Sequence, residues 1–398
     1  MLNSIRWSVL SFVLLVFLPV GLSAQSFLYT NNDLAPNSIS AFAIATNGTL
    51  NEISGSPFMT GGDGTGGGFY SSTRIIVVNN FLYASNSGSN TVSAYSIDPA
   101  TGYLTPVSGS PFPTDGFNDP AQSGISLAAT PDGKYLFAGT TGYDSQFNLG
   151  SITAFSINSI GALTTTNKSP VAAGGPVSDI KVTPDGSYLL AAIPGSSAIA
   201  VFAIRGQGML HEVHNSPYAL SSGAVTNVAV NCAGNLVYAG GTTGNIYAFD
   251  FGSGRLAPLA GSPYATGKVS NRVVALGKGG STLYSSNQSD NTVTAFAVDP
   301  TGGLTLPGTS VNAAGASSVQ PYPGGLAVSS DGTFLFVADL NSDTSGHSGF
   351  SIFSVAGSSP LTFVSLNSTG LASGLRSLAA YPANVCTGAA ATAHSPGR

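Results

Sequence analysis

The chain has 398 residues and a formal net charge of −5, and 7% of it is charged, against roughly 25% in an average soluble protein. No Lys/Arg cluster occurs in it, which argues against a nucleic-acid or anionic-membrane partner. Apolar residues make up 42% at regular spacing, too much buriable surface for a disordered chain.

The chain opens on "MLNSIRWSVLSFVLLVFLPVGLSAQS", with Arg6 ahead of an apolar run from Val9 to Val20 and the small Ala24 behind it. This pattern predicts a secretory signal peptide over 1–24. The run is shorter than the roughly 20 residues of a spanning helix, so cleavage is expected rather than anchoring. No Cys lies near the cut, so no lipoprotein is indicated. The mature protein is expected to be secreted or periplasmic, with no membrane span.

From "FLYTNN" onward one unit recurs. An apolar run, a tight polar turn and a second apolar run appear in "SLAATPDGKYLFAGT", "DIKVTPDGSYLLAAI", "NVAVNCAGNLVYAGG", "VVALGKGGSTLYSSN" and "LAVSSDGTFLFVADLN", and more loosely in "IIVVNNFLYASN". Asp-Gly and Gly-Asn supply the positive φ that a tight hairpin turn needs. A third run follows ("NTVSAYSI", "GSITAFSI", "SAIAVFAI"), then a fourth ("GYLTPVS", "GMLHEVH", "GRLAPLA"). The third runs are apolar or small on both faces, as a sheet stacked between two neighbours requires. No stretch after the leader has helical periodicity.

These features predict an all-β chain, a seven-bladed β-propeller with four antiparallel strands per blade over 25–385. "FLYTNN" is a second strand without its first and "SLAAYPAN" a first strand without its second, so pairing them closes the ring and removes exposed edges. A monomer is expected, with a flexible tail over 386–398. The phrases "ISGSPFMTGG", "VSGSPFPTDG", "VHNSPYALSS" and "LAGSPYATGK" put a Ser-Pro-aromatic at the end of each outermost strand. Proline cannot donate to a ladder, so it is expected to end the pairing there, with Phe58, Phe112, Tyr218 and Tyr264 packing between blades. Of the two cysteines, Cys232 falls in a hairpin bend on one face and Cys386 follows the closing strand. Pairing would need the tail to cross that face, so two separate small hydrophobes are expected.

Seven units with "PDGKYLF" hairpins and "AFSI…G.L" strands resemble the seven-bladed lactonase family, the 6-phosphogluconolactonase-like propellers, over essentially the whole mature chain. The resemblance implies metal-free, cofactor-free hydrolysis of a sugar-acid lactone. It also implies a Pro-Arg-His leading into an inner strand, and an Asn-Glu-Leu ending the next. In "YPGGLAVSSDGTFLFVADLN" Pro323 is kept, Gly324 and Gly325 stand where Arg and His would be, and Asp339 replaces the Glu.

Arginines lead into inner strands elsewhere. Arg272 and Arg376 share one repeat position, Arg74 is similar, and Asp179 and Asn227 lie one place further on. All are expected to converge on one mouth of the central channel, where an arginine fork suits a carboxylate or phosphate. Asp339, Arg272 and Arg376 are the candidate catalytic residues; Arg74, Asp179, Asn227 and His347 are candidate ligand contacts. The loop "DLNSDTSGHSG" clusters Asp339, Asp343 and His347 without the spacing of a calcium loop, so no metal is expected. His211, Glu212 and His214 read as a solvated outer edge. Two readings follow: a lactone hydrolase at this rim, or a non-catalytic propeller binding a sugar acid, a glycan or a partner protein.

Overall fold

The computed structural model describes residues 25–66, 72–115, 124–141, 150–221, 223–355, 361–372 and 377–383. The leader, Arg376, Cys386 and the tail lie outside the described residues, as does most of the loop around 142–149. Among the described residues no helix is long and apolar enough to cross a membrane.

The hairpin between the first two strands of a blade is built by its own turn residues. In blade 4, Thr183 Oγ1 meets Asp185 Oδ1, which also accepts from Ser187 N at 3.0 Å, while Thr183 Oγ1 accepts from Tyr188 N at 3.0 Å. Thr130 and Asp132 repeat this in blade 3, and Ser329 and Asp331 in blade 7. The short side chains satisfy the turn's backbone donors, which is why Thr/Ser-x-Asp-Gly recurs.

Seven antiparallel sheets follow, one per blade, with the chain running from the innermost to the outermost strand. Blade 4 is representative: Asp179–Val182, Tyr188–Ile193, Ala198–Arg205 and Met209–Glu212. Six successive residues of its third strand are buried, as expected for a sheet covered on both faces. Seven apolar clusters fill the seven junctions between neighbouring blades. The ring closes as expected: Ser26–Asn31 pairs with Ser377–Tyr381 on one side and Ser38–Ile44 on the other. Tyr29, Tyr83 and Tyr238 cross to the next blade and donate to the carbonyls of Gly102, Gly161 and Gly302 at 2.8–3.0 Å.

The Ser-Pro-aromatic phrase does more than end a strand, which corrects the sequence expectation. Its serine Oγ accepts a backbone N–H of the third strand at 2.9–3.1 Å, from Ala41, Ala94, Val201 and Ala248 in turn, and Ser169 of the related Ser-Pro-Val does the same for Ala154 at 2.8 Å. Pairing with the third strand then resumes at the residue after proline, as in Phe58–Met59 and Tyr218–Ala219. The phrase is therefore a bulge in the outermost strand, and the serine supplies the acceptor that the bulge removes. The residue before it is at positive φ (Gly55, Gly109, Lys168, Asn215, Gly261), which favours Gly or Asn there. The aromatic crosses the junction, as Phe58 does against Tyr103 at 5.0 Å and Tyr218 against Phe249 at 5.3 Å.

Candidate functional site

Each innermost strand presents an unpaired backbone edge to the central channel, and those N–H groups need acceptors. One repeat position supplies them across the junctions. Ile180 N donates to Ser126 Oγ at 3.2 Å, Val228 N to Asp179 Oδ2 at 3.1 Å, Val274 N to Asn227 Oδ1 at 2.8 Å, and Arg74 N to Ser377 Oγ at 2.9 Å. Strand pairing also corrects one alignment. Arg74 stands opposite Ser85, as Asp179 stands opposite Ala192, so it shares the position of Asp179 and Asn227 rather than that of Arg272. The turn in "VVNNFLY" is shorter than the "TPDG" turns, and that displaced the count.

The charged members of this ring are committed to neighbours. Asp179 is fully buried and accepts from Thr73 Oγ1 (2.8 Å), Ser126 Oγ (3.0 Å), Asn227 Nδ2 (2.7 Å) and Val228 N. Lys181 Nζ donates to Thr73 Oγ1 at 2.6 Å and lies 3.5 Å from Asp179. Ser72 donates through its N to Ser178 O (2.9 Å) and through Oγ to Thr226 O (3.0 Å). The chain entering blade 2 thus crosses the channel mouth and bonds to blades 4 and 5 on the far side. Arg74 is fully buried and ion-paired with the fully buried Asp33, which also accepts from Thr65 N and Oγ1. Arg272 is half-buried at the inner edge of blade 6, and its carbonyl accepts from Thr226 Oγ1 at 2.6 Å.

Asp339, expected as the carboxylate of the site, is fully buried at the end of the second strand of blade 7. Its register is shared by Asn32, Asn86 and Asn287, whose Nδ2 groups donate to a third-strand hydroxyl at 2.7–3.0 Å. In blade 2 the relay runs from Asn86 to Ser93 Oγ, which donates on to Thr60 O at 2.7 Å. In blade 7, Ser351 Oγ lies 2.6 Å from Ala313 O and 2.5 Å from Asp339 Oδ2. A hydroxyl has one proton and a carbonyl can only accept. Ser351 shares its one proton between these two acceptors, so the buried carboxyl is only partly served. Burial pushes the Asp339 carboxyl well above the usual carboxylate range, despite the contacts with Ser351, which lower it. Burial thus favours the neutral acid at Asp339, the form that matches the asparagine of this register. Its Oδ1 is buried without a hydrogen-bond partner; the blade-6 donor to the corresponding oxygen is Asn271, and Pro323 occupies that register in blade 7.

A more accessible constellation lies on the same face, in the loop between the second and third strands of blade 7. Asp343 Oδ2 accepts from His347 Nδ1 and from Ser368 Oγ, each at 2.7 Å, while Oδ1 accepts from Ser345 N and His347 N. The Ser368 contact lowers the Asp343 pKa most; solvent loss opposes it, and the His347 contacts lower it further. A carboxylate only accepts, so His347 carries its proton on Nδ1 and turns Nε2 away from Asp343. The His347 side chain is 36% exposed. Among the described residues no group of three or more His, Cys, Asp or Glu converges as a metal site. Thr73 and Lys181 escaped the sequence reading because Thr73 meets Asp179 and Lys181 from across the ring, and Asp33 because its partner Arg74 belongs to the next blade.

Cys232 is disulfide-bonded, which overturns the expectation of a separate small hydrophobe. That expectation weighed only the path a tail would have to take.

The family model described as a lactonase, a 7-bladed β-propeller, matches residues 15–116 and 119–374. A search of the curated proteins finds no match. Among solved structures, a putative 6-phosphogluconolactonase from Bacteroides fragilis is similar, with 20% identity and a TM-score of 0.67 over 90% of this chain and 99% of that one. A periplasmic gluconolactonase from Pseudomonas aeruginosa is similar at 19% identity and a TM-score of 0.63, over 89% and 98% of the two chains. At these identities the structures establish the likeness of fold.

Proposed function

Because the chain belongs to the 7-bladed β-propeller lactonase family, we propose that it is an exported hydrolase of an unphosphorylated sugar-acid lactone, working on the mouth face of blade 7. The observation that carries this reading is the Asp343–His347 pair, a base held by a carboxylate at a half-exposed position. Lactone hydrolysis needs a base to activate water and donors for the carbonyl oxygen. His347 Nε2 takes a proton from water as the oxygen attacks the carbonyl carbon, and Asp343 stabilises the imidazolium that forms. The C–O bond of the ring then breaks, and the leaving oxygen takes the proton back from His347. Thr344 and Ser345 line the same groove as Asp343 and supply donors for the oxyanion. Neither Asp339, Arg272 and Arg376 nor Arg74, Asp179 and Asn227 take part in these steps. The disulfide at Cys232 supports an oxidising compartment.

The second reading, a propeller that binds without turnover, is favoured by Gly324 and Gly325, which put no side chain where the family resemblance implies Arg and His. The deciding experiment is pH-stat hydrolysis of a panel of lactones, with His347→Ala as control. Turnover by the wild type that is lost in a folded His347→Ala variant supports the hydrolase. A wild type no faster than spontaneous hydrolysis on every lactone refutes it.

A further inference from the structure

Beside the Asp343–His347 pair lies a groove of about 580 Å³ between the loop at 340–346 and the segment at 318–322 leading into blade 7. That volume is within the usual range for a small-molecule site. Gln320, Tyr322, Asn341, Asp343, Thr344 and Ser345 line it, so it offers amides, hydroxyls, one carboxylate and one aromatic ring. No lysine or arginine lines it.

Two features separate this groove from an ordinary polar crease. Tyr322 is at φ +51°, the one aromatic residue in left-handed backbone among the described residues. A bulky side chain rarely adopts that conformation, and strain of this kind concentrates at functional sites. Tyr322 is 40% exposed, its N donates to Asn291 Oδ1 at 2.9 Å, and its hydroxyl donates to Gln320 Oε1 at 3.0 Å. The protein thus holds an aromatic face towards solvent and pins the neighbouring amide, leaving the Gln320 NH2 as a donor. Independently, Asn341 lines the groove while its Oδ1 is turned inward, buried without a hydrogen-bond partner. An acceptor left this way is destabilising, and a donor on a ligand can satisfy it once the amide turns.

We infer that this groove binds a neutral saccharide, one sugar ring stacking on Tyr322 and its hydroxyls bonding to Asn341 and Gln320. The charge balance selects the class. The Asp343 carboxylate, with no lysine or arginine in the lining, repels sugar acids and sugar phosphates but not a neutral sugar. The inference rests on the proposed hydrolase reading only in placing the lactone carbonyl next to His347; the binding itself does not depend on turnover.

The test is calorimetric titration of the mature protein with cellobiose, maltose, xylobiose and chitobiose, with gluconate and 6-phosphogluconate as anionic controls. At least one neutral disaccharide is expected to bind, with affinity falling at least tenfold in Tyr322→Ala and recovering in Tyr322→Phe. Binding of none of them, binding that survives Tyr322→Ala unchanged, or tighter binding of the anions overturns the inference. Hydrolysis of D-glucono-1,5-lactone is measured in parallel. Turnover without saccharide binding removes the groove and leaves the hydrolase; saccharide binding without turnover does the reverse.

Discussion

Replacing Asp339 by asparagine separates a buried neutral acid from a catalytic carboxylate. Asparagine restores the side chain that blades 1, 2 and 6 carry in this register, and its Nδ2 donates to Ser351 Oγ as Asn86 does to Ser93. The magnitude follows from linkage. The folded carboxyl titrates well above the usual range, whereas the unfolded one titrates near 3.9. Below the unfolded value both states are protonated and the stabilisation is fully present. As pH rises, the unfolded state releases its proton first, and the wild type loses about 1.4 kcal/mol per pH unit until the folded value is reached. The amide of the variant does not titrate, so the difference in stability between Asp339→Asn and wild type should grow by about 1.4 kcal/mol per unit as pH rises from the unfolded value towards the folded one, in favour of the variant. Chemical denaturation of both proteins at pH 4, 5, 6 and 7 measures it. Parallel stability curves, or a variant less stable at pH 7, would mean an ionised Asp339 and would refute the relay. Lactone turnover, where the wild type shows it, should persist in the variant.

Arg74→Ala leaves Asp33 charged and buried without its partner and should cost about 3–5 kcal/mol by denaturant unfolding, where a surface pair would cost under about 1. Ser262→Ala removes the acceptor of Ala248 N at the bulge of blade 5 and should cost about 1–2 kcal/mol by the same measurement. Cys232→Ser should destabilise the protein by about 2–4 kcal/mol, and dithiothreitol should lower the wild type to the level of the variant without affecting the variant. Asp343→Asn keeps an acceptor for His347 but not the charge, so it should lower the rate of lactone hydrolysis with little change in KM.

What the sequence shows and what it hides divide along a physical line. The blade is a local object: its turn is closed by Thr183 and Asp185, its bulge by Ser216 just ahead of the resumed strand, and each device leaves a repeated phrase. Seven copies of a local phrase are enough to infer the ring and its closure. The site is assembled from residues far apart in sequence. Thr73 reaches Asp179 across 106 positions, and Ser72 reaches Thr226 across 154, because the chain entering blade 2 spans the channel. Sequence order carries no trace of that crossing. It brought Arg74, Asp179 and Asn227 to neighbouring repeat positions, but it could not show that the charges of Arg74 and Asp179 and the Asn227 amide would be used up in joining blades. The Asp339 case is the sharper one. Beside an expected glutamate, its carboxylate looks like a shortened catalytic group; beside Asn32, Asn86 and Asn287 of its own repeat, it is an asparagine position with a proton in place of an amide hydrogen. The internal repeat is the better reference because it reports the hydrogen-bond demand of that position in this fold. By the same comparison Asp343 and His347 stand out: their mutual bond and the one to Ser368 do not recur among the described residues of the other blades, so the repeat alone does not require them there.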